Sequence, residues 1–189
     1  LFPREFSEYG KYYSAFDDKV HEGISYNDYS LWDTFRAFHP LMTLLEPELT
    51  GNWITGLLQM YKEGGWMPMW PTPSYTNIMI GTHADALIAD AYMKGIRNYD
   101  TDLAYEAMYK SATLPGAENL MRPDNDDYMS KGYVPLREQY DNSVSHALEY
   151  YIADFALSRF ADALGKKKDA EMFYKRSLGY KHYYSKEFG

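Results

Sequence analysis

The sequence predicts an all-α chain of about six helices in three antiparallel pairs, the arrangement of an α/α toroid or a helical solenoid. Three observations lead there. Apolar residues recur at helical spacing in six separate stretches, and helix-stopping Gly and Pro residues part those stretches. Two of the stretches are apolar on more than one face, which an ordinary surface helix is not. No stretch alternates convincingly as a strand.

Residues 1–29 show little periodicity, with Gly10 and Gly23 among the tyrosines, and are expected to be mostly loop. Regularity begins at Ser30, the expected N-cap, with Asp33 three residues on. Leu31, Phe35, Phe38, Met42 and Leu45 share one helical face; Pro40 should kink this helix and Pro47 end it. Its partner in the pair 30–64 runs from Leu49 to Glu63, buries Trp53, Leu57 and Met60, and stops at Gly64-Gly65. The pair 77–113 has Ile80, Ala84, Leu87, Ile88 and Ala91 in register up to Gly95, then a helix capped by Asp100 or Thr101. Pro123 to Asp127 read as an acidic loop. In the pair 141–184, a helix follows Asp141-Asn142 with Val144, Leu148, Tyr151, Ile152 and Phe155 in phase, and Ala147, Tyr150 and Ala161 form its second stripe. The last helix runs from Lys167 to Tyr184. Ala163 to Lys166 resemble a tetratricopeptide turn, yet nothing recurs at a period of about 34 residues.

Composition sets outer bounds. The chain has 189 residues, enough to bury a sizeable core, and no cysteine for a disulfide, thiolate site or thiol nucleophile. A formal net charge of -8 argues against a general nucleic-acid binder, and no window is apolar enough to span a membrane. An aromatic share of 17% fits a deeply lined groove or a large core equally well.

Few residues carry chemistry by spacing alone. Asp33 and Arg36, flanked by Trp32, are neighbours on one helix face and can offer a ring and fixed polar groups to a hydroxyl-rich ligand; by spacing alone, a capping Asp with a local ion pair is the favoured account of them. The loop Gly65 to Tyr75 is closed to helix by its prolines and holds Trp66 and Trp70 rigidly, either against a sugar's C–H faces or as a plug between helix ends. His83 starts a helix and can orient a ligand or serve as a structural histidine; His39 has less support. Asp124, Asp126 and Asp127 open like a calcium loop, but Met129 stands where glycine is needed and Pro135 where the bidentate Glu belongs, which leaves a solvated acidic loop. Glu149 and Asp154 lie in a very apolar helix, so each needs a polar cavity or an ion pair. No catalytic carboxylate pair and no metal-ligand set is identified by spacing.

Longer runs say more. Tyr29-Ser30-Leu31-Trp32-Asp33-Thr34-Phe35-Arg36-Ala37-Phe38-His39-Pro40-Leu41, Gly64 to Pro68, Met79-Ile80-Gly81-Thr82-His83, Ile88 to Ile96, Ala104 to Met108, Lys110 to Ala112, and Ser143-Val144-Ser145 with Leu148-Glu149-Tyr150 follow in order along the chain. Together they resemble glycoside hydrolase family 92, the calcium-dependent, inverting α-mannosidases of bacteria. That resemblance implies part of an (α/α)6 toroid, packed in complete members on an N-terminal β-sandwich, and an exported protein acting on mannose-containing glycans. It implies that the general acid Glu, the general base Asp and most calcium ligands lie C-terminal to this stretch, leaving a segment that is inactive alone. Asp33 carries over to the mannose pocket, followed by Trp32 and Arg36. Thr82 and Asn142 depart from the pattern, where many members have Asp and Glu, and bear on linkage preference. The alternative class is a non-catalytic helical module that binds a glycan or a protein partner.

Overall fold

The computed structural model describes residues 3–137 and 142–188; Leu1, Phe2, Asp141 and Gly189 lie outside the described residues. Residues 3–29 are mostly turn and loop, as expected, but they also hold two short antiparallel strand pairs. β1 (Arg4–Glu5) pairs antiparallel with β4 (Tyr26–Asn27), and β2 (Lys11–Ser14) with β3 (Lys19–Glu22), Tyr12 opposite His21. Tyr12 and Ser14 turn inward while Lys11 and Tyr13 face out, a two-residue period hidden by its shortness.

The helices are α1 (Leu31–Thr34), α2 (Phe38–Leu45), α3 (Pro47–Gly64), α4 (Ala84–Met93), α5 (Thr101–Thr113), α6 (Asn125–Lys131), α7 (Ser143–Ala163) and α8 (Lys167–Ser177), with 3-10 turns at Gly116–Glu118 and Leu178–Tyr183. Pro40 does not kink a single first helix. The chain breaks at residues 35–37 and restarts as α2, which places Pro40 in a first turn where its missing N–H costs nothing. α3 begins on Pro47 and ends at Gly65, whose φ of 83° lets its N–H reach the Tyr61 carbonyl at 2.8 Å. Asp100 caps α5, its carboxylate accepting from Leu103 N at 3.0 Å. Ile80 lies before α4 rather than within it, in a stretch where Asn77, Met79 and Gly81 all take positive φ. The acidic run Pro123 to Asp127 is not a solvated loop, because α6 starts within it and Asp124 is fully buried.

One core cluster joins Ile54 and Leu57 of α3, Leu87 and Ile88 of α4, Met108 of α5, Leu157 and Phe160 of α7 and Phe173 of α8. α7 is its spine and packs on α8, α4 and α5. Its second stripe, Ala147, Tyr150 and Ala161, is buried as expected. The first is divided: Tyr151 is buried, whereas Val144, Leu148, Ile152 and Phe155 stay 45%, 43%, 42% and 49% exposed, so that ridge is only partly covered among the described residues.

Polar groups tie the helices together through Asp154. This fully buried carboxylate accepts from Arg122 Nη1 at 2.9 Å, from Tyr128 Oη of α6 at 2.8 Å, and from both Nε and Nη2 of Arg176 in α8. Arg122, also fully buried, reaches on to Thr82 Oγ1 at 2.8 Å and Asp85 Oδ2 of α4 at 3.4 Å. Burial pushes the Asp154 carboxyl up, but Arg176 and Arg122 outweigh it and hold it below the usual carboxylate range. Asp85 has only the far side of Arg122 and the Thr82 hydroxyl; burial dominates and raises its carboxyl to about 7.

Removing one member of such a buried pair strands the others, so Asp154→Asn should cost about 3–5 kcal/mol of stability. Asp85 behaves oppositely. Its folded pKa lies above its ordinary 3.8, so the fold holds this proton more tightly and Asp85's contribution declines as pH rises from about 4 to about 7. Asp85→Asn should therefore gain on the unsubstituted protein between pH 5 and pH 8 in urea unfolding. A variant at Asp154 no less stable than one at Asp85 at pH 8 would contradict this ranking.

Candidate functional site

The break between α1 and α2 turns residues 32–36 toward the N-terminal half of α7 and the start of α4. Trp32 donates its indole Nε1–H to Glu149 Oε1 at 3.1 Å, and Arg36 Nη2 donates to the same oxygen at 3.2 Å. Arg36 also donates Nε–H to the Trp32 carbonyl at 3.1 Å and lays its guanidinium 4.2 Å from the Trp32 ring. Phe35, on the expected core face by spacing, instead stacks on His83 with centroids 4.0 Å apart and planes 5° from parallel. His83 Nε2 lies 2.9 Å from the Ile80 carbonyl, which it reaches as a donor, and 3.6 Å from Glu149 Oε2.

The local ion pair expected between Asp33 and Arg36 does not form. Arg36 is drawn across to Glu149, while the Asp33 side chain stays exposed and makes no ion pair with Arg36. The indole is also less open than its sequence position implies, because Arg36 lies over one face. What the cluster offers to solvent is a polar edge: an exposed carboxylate at Asp33 beside a half-exposed guanidinium that Glu149 and Trp32 hold in place. Such an edge suits neighbouring hydroxyls, which accept from the cation and donate to the anion.

Trp66 and Trp70 are not drawn into this cluster among the described contacts. Trp66 is held between Tyr75, whose hydroxyl accepts from its N–H at 2.9 Å and donates to its carbonyl at 2.7 Å, and Lys110, 4.4 Å from its ring. Trp70 is half-buried further along the same loop. His39 is fully buried, edge-on to Trp53, with neither ring nitrogen hydrogen-bonded. Spacing had no means of choosing Glu149 over Asp154 as the carboxylate serving a site; Phe35 it placed in the core.

Burial pushes the His83 imidazole down to about 4, with Arg36 opposing its charge and the Ile80 carbonyl only partly offsetting them. The unfolded chain therefore takes up this proton first, and stability is lost as pH falls from the ordinary 6.5 toward 4. His39 is lowered in the same way, so two histidines share the slope. His83→Gln should flatten the decline between pH 7 and pH 5 in urea unfolding; an unchanged slope would mean that His83 is not buried neutral.

Comparison with known proteins follows the same layout. Residues 1–189 match the glycosyl hydrolase family 92 catalytic domain. The chain is similar along 100% of its length to the family GH92 inverting mannosidase of Bacteroides thetaiotaomicron VPI-5482, at 39% identity and a TM-score of 0.93, covering 26% of that chain. A family GH92 α-mannosidase of Bacteroides thetaiotaomicron, solved with mannoimidazole, matches 91% of this chain at 31% identity and a TM-score of 0.83, with 22% of its own length covered. An uncharacterized secreted glycosidase of Arthroderma benhamiae is 35% identical over 140 residues, 64% of this chain and 17% of that protein. The chain thus spans about a quarter or less of the proteins it matches, and its helices are a segment of their (α/α)6 toroid. By sequence and by fold, the chain belongs to glycosyl hydrolase family 92.

Proposed function

We infer that this chain forms one wall of the mannose site in an inverting, calcium-dependent α-mannosidase, and that other parts of the protein supply both reacting carboxylates. The observation that carries this reading is the cluster of Trp32, Arg36, His83 and Glu149 behind the exposed Asp33, in a chain whose solved relatives are named mannosidases. Asp33 accepts from sugar hydroxyls, Arg36 donates to one, and Glu149 holds Trp32 and Arg36 in place. Inversion requires one carboxylic acid to protonate the leaving oxygen while a carboxylate on the opposite face activates water. Asp33 lies on the binding side of that scheme.

Calcium has no assigned ligand among the described residues. Among the described residues no three His, Asp or Glu side chains converge to hold an ion. Asp124 is engaged by His146 and Tyr150, Asp126 by the Gly116 N–H, and Asp127 by Lys131 and Arg137. The ion belongs to this reading as one held elsewhere in the protein. The partly covered ridge on α7 is where the rest of the toroid packs, and an N-terminal β-sandwich completes the enzyme. Export is supported by the relative named as secreted; no helix among the described residues is long and apolar enough to cross a membrane.

The full-length protein should release mannose from α-mannosides with inverted configuration, seen as the β-anomer by NMR. A chelator should abolish this and calcium restore it, while the isolated 189-residue chain should release none. Asp33→Asn weakens hydrogen bonds to a charged group, a loss of about 10- to 100-fold in kcat/KM. Glu149→Ala should fall similarly by freeing Trp32 and Arg36, with Glu149→Gln recovering part because Oε1 remains. No mannose release by the full-length protein would end the enzymatic reading.

A further inference from the structure

A groove of about 590 Å³ lies between α3, α5 and the turn that follows α7, within the volume range of sites for small ligands. Asp102, Glu106, Tyr109 and Thr113 follow at steps of four, three and four, which sets them in one row along α5. That row spans about 16 Å at the helical rise, so the groove is long rather than round. The rings of Tyr61 and Tyr105 are buried at its floor, and Tyr109 is 36% exposed. The groove is remote from the cluster at residues 32–36. Glu149 stands near the start of α7, whereas Lys166, which lines the groove, follows the end of the same helix, about 21 Å along its axis.

The protein itself fixes the polar groups around these rings. Tyr61 Oη donates to Glu106 Oε1 at 2.8 Å, and Tyr105 Oη donates to Asp169 Oδ2 at 2.6 Å. Lys110 Nζ donates to the Gly65 carbonyl at 2.7 Å and lies 4.4 Å from the Trp66 ring; Lys166 Nζ lies 4.5 Å from the Tyr105 ring. The charges on the lining balance, Asp102 and Glu106 against Lys110 and Lys166. A polyanion would meet two carboxylates there, and a polycation two ammonium groups. A neutral ligand with many hydroxyls meets neither penalty, because each hydroxyl can accept from a lysine and donate to a carboxylate. Tyrosine rings in turn suit the C–H faces of such a ligand. Leu114, the aliphatic side chain in the lining, is half-buried, so these residues offer a protein partner no exposed aliphatic anchor.

We propose that this groove is a second, non-catalytic binding site for a neutral glycan chain, in which Tyr109 stacks on a sugar ring and Glu106 and Lys110 bond its hydroxyls. The choice of mannose as the sugar rests on the mannosidase reading above. A groove of this length takes several units of a chain rather than one ring, and its distance from residues 32–36 lets it hold a polymer while an end of that polymer is trimmed elsewhere. Two sites on one protein that engage one polymer raise the effective concentration of chain ends at the first. Short substrates cannot occupy both and gain nothing from the groove.

The test uses the full-length protein and soluble α-mannan as the probe. In an Asp33→Asn background, which weakens the other site, native gels cast with α-mannan should still retard the protein. Adding Tyr109→Ala should lower that affinity about tenfold, the loss of one stacked ring, whereas Tyr109→Phe keeps the ring and should retain most of it. In the otherwise unsubstituted protein, Tyr109→Ala should lower kcat/KM on α-mannan about three- to tenfold through KM and leave α-mannobiose unchanged. If the alanine variant does not fold, Glu106→Gln, at an exposed position, carries both comparisons. Equal retardation of every variant, or equal losses on polymer and disaccharide, overturns the proposal and leaves the mannosidase reading intact. Retardation that depends on Tyr109 in a protein that releases no mannose upholds the groove and removes that reading alone.

Discussion

Asp154 is the interaction on which the rest of this structure depends. It sits at the middle of α7 and takes donors from α6, α8 and the buried Arg122, which in turn reaches the start of α4. Two cations for one carboxylate is what keeps Asp154 ionised without solvent, and it decides which acid in the network yields. Asp85 shares Arg122 at the longer distance and has one oxygen with no hydrogen bond, so the cost of burial falls there. Thr82 fits this asymmetry: its hydroxyl accepts from Arg122 and donates to Asp85, so a neutral side chain serves both. A carboxylate at position 82 would put a third acid against the same guanidinium, which the neutral hydroxyl avoids.

The same helix carries the site. Glu149 and Asp154 are five residues apart, a rotation of roughly 140° about the axis, so they cannot share a face. Asp154 points toward α8 and closes the fold; Glu149 points toward residues 32–36 and His83, next to the surface. Because both acids stand on one rigid element, the network that fixes α7 also fixes Glu149, and through it Trp32 and Arg36. Glu149 Oε1 accepts two hydrogen bonds from residues more than a hundred positions earlier in the chain, a contact that forms only after the helices have packed.

Much of the fold was legible because helical periodicity and punctuation are local. α3, α5 and α7 fall where Gly64-Gly65, Asp100 and Asn142 place their ends, with Pro47 rather than Leu49 opening α3. The misses have physical causes. Pro40 is compatible with a kink or with a new first turn, and only the pull of Glu149 and His83 on residues 32–36 decides between them. The strands before Ser30 are two to four residues long, too short for alternation to register. α6 hides behind acidic residues whose partners, His146, Tyr150 and Gly116 N–H, come from elsewhere in the chain. For the site, Trp32, Arg36 and His83 do meet, yet Glu149, which joins them, was indistinguishable from Asp154 in the sequence, and Trp66 turned out to belong to Lys110.

The tyrosines explain how so acidic a chain stays packed. With 27 acidic and 19 basic residues, carboxylates are in excess, and they are served by tyrosines as well as by cations. Tyr12 donates to Glu63 at 2.5 Å, Tyr61 to Glu106 at 2.8 Å, Tyr105 to Asp169 at 2.6 Å, Tyr128 to Asp154 at 2.8 Å and Tyr150 to Asp124 at 2.9 Å. Each joins two different elements, and each gives a carboxylate a donor without adding charge. Burial and the acceptor together keep the phenol protonated, as at Tyr61, pushed up to about 12. Apolar rings then fill the layers between helices while the hydroxyls hold the acids, one side chain meeting both needs. Arg36 is the exception: it serves Glu149 with one nitrogen and leaves the rest of its guanidinium half-exposed beside Asp33.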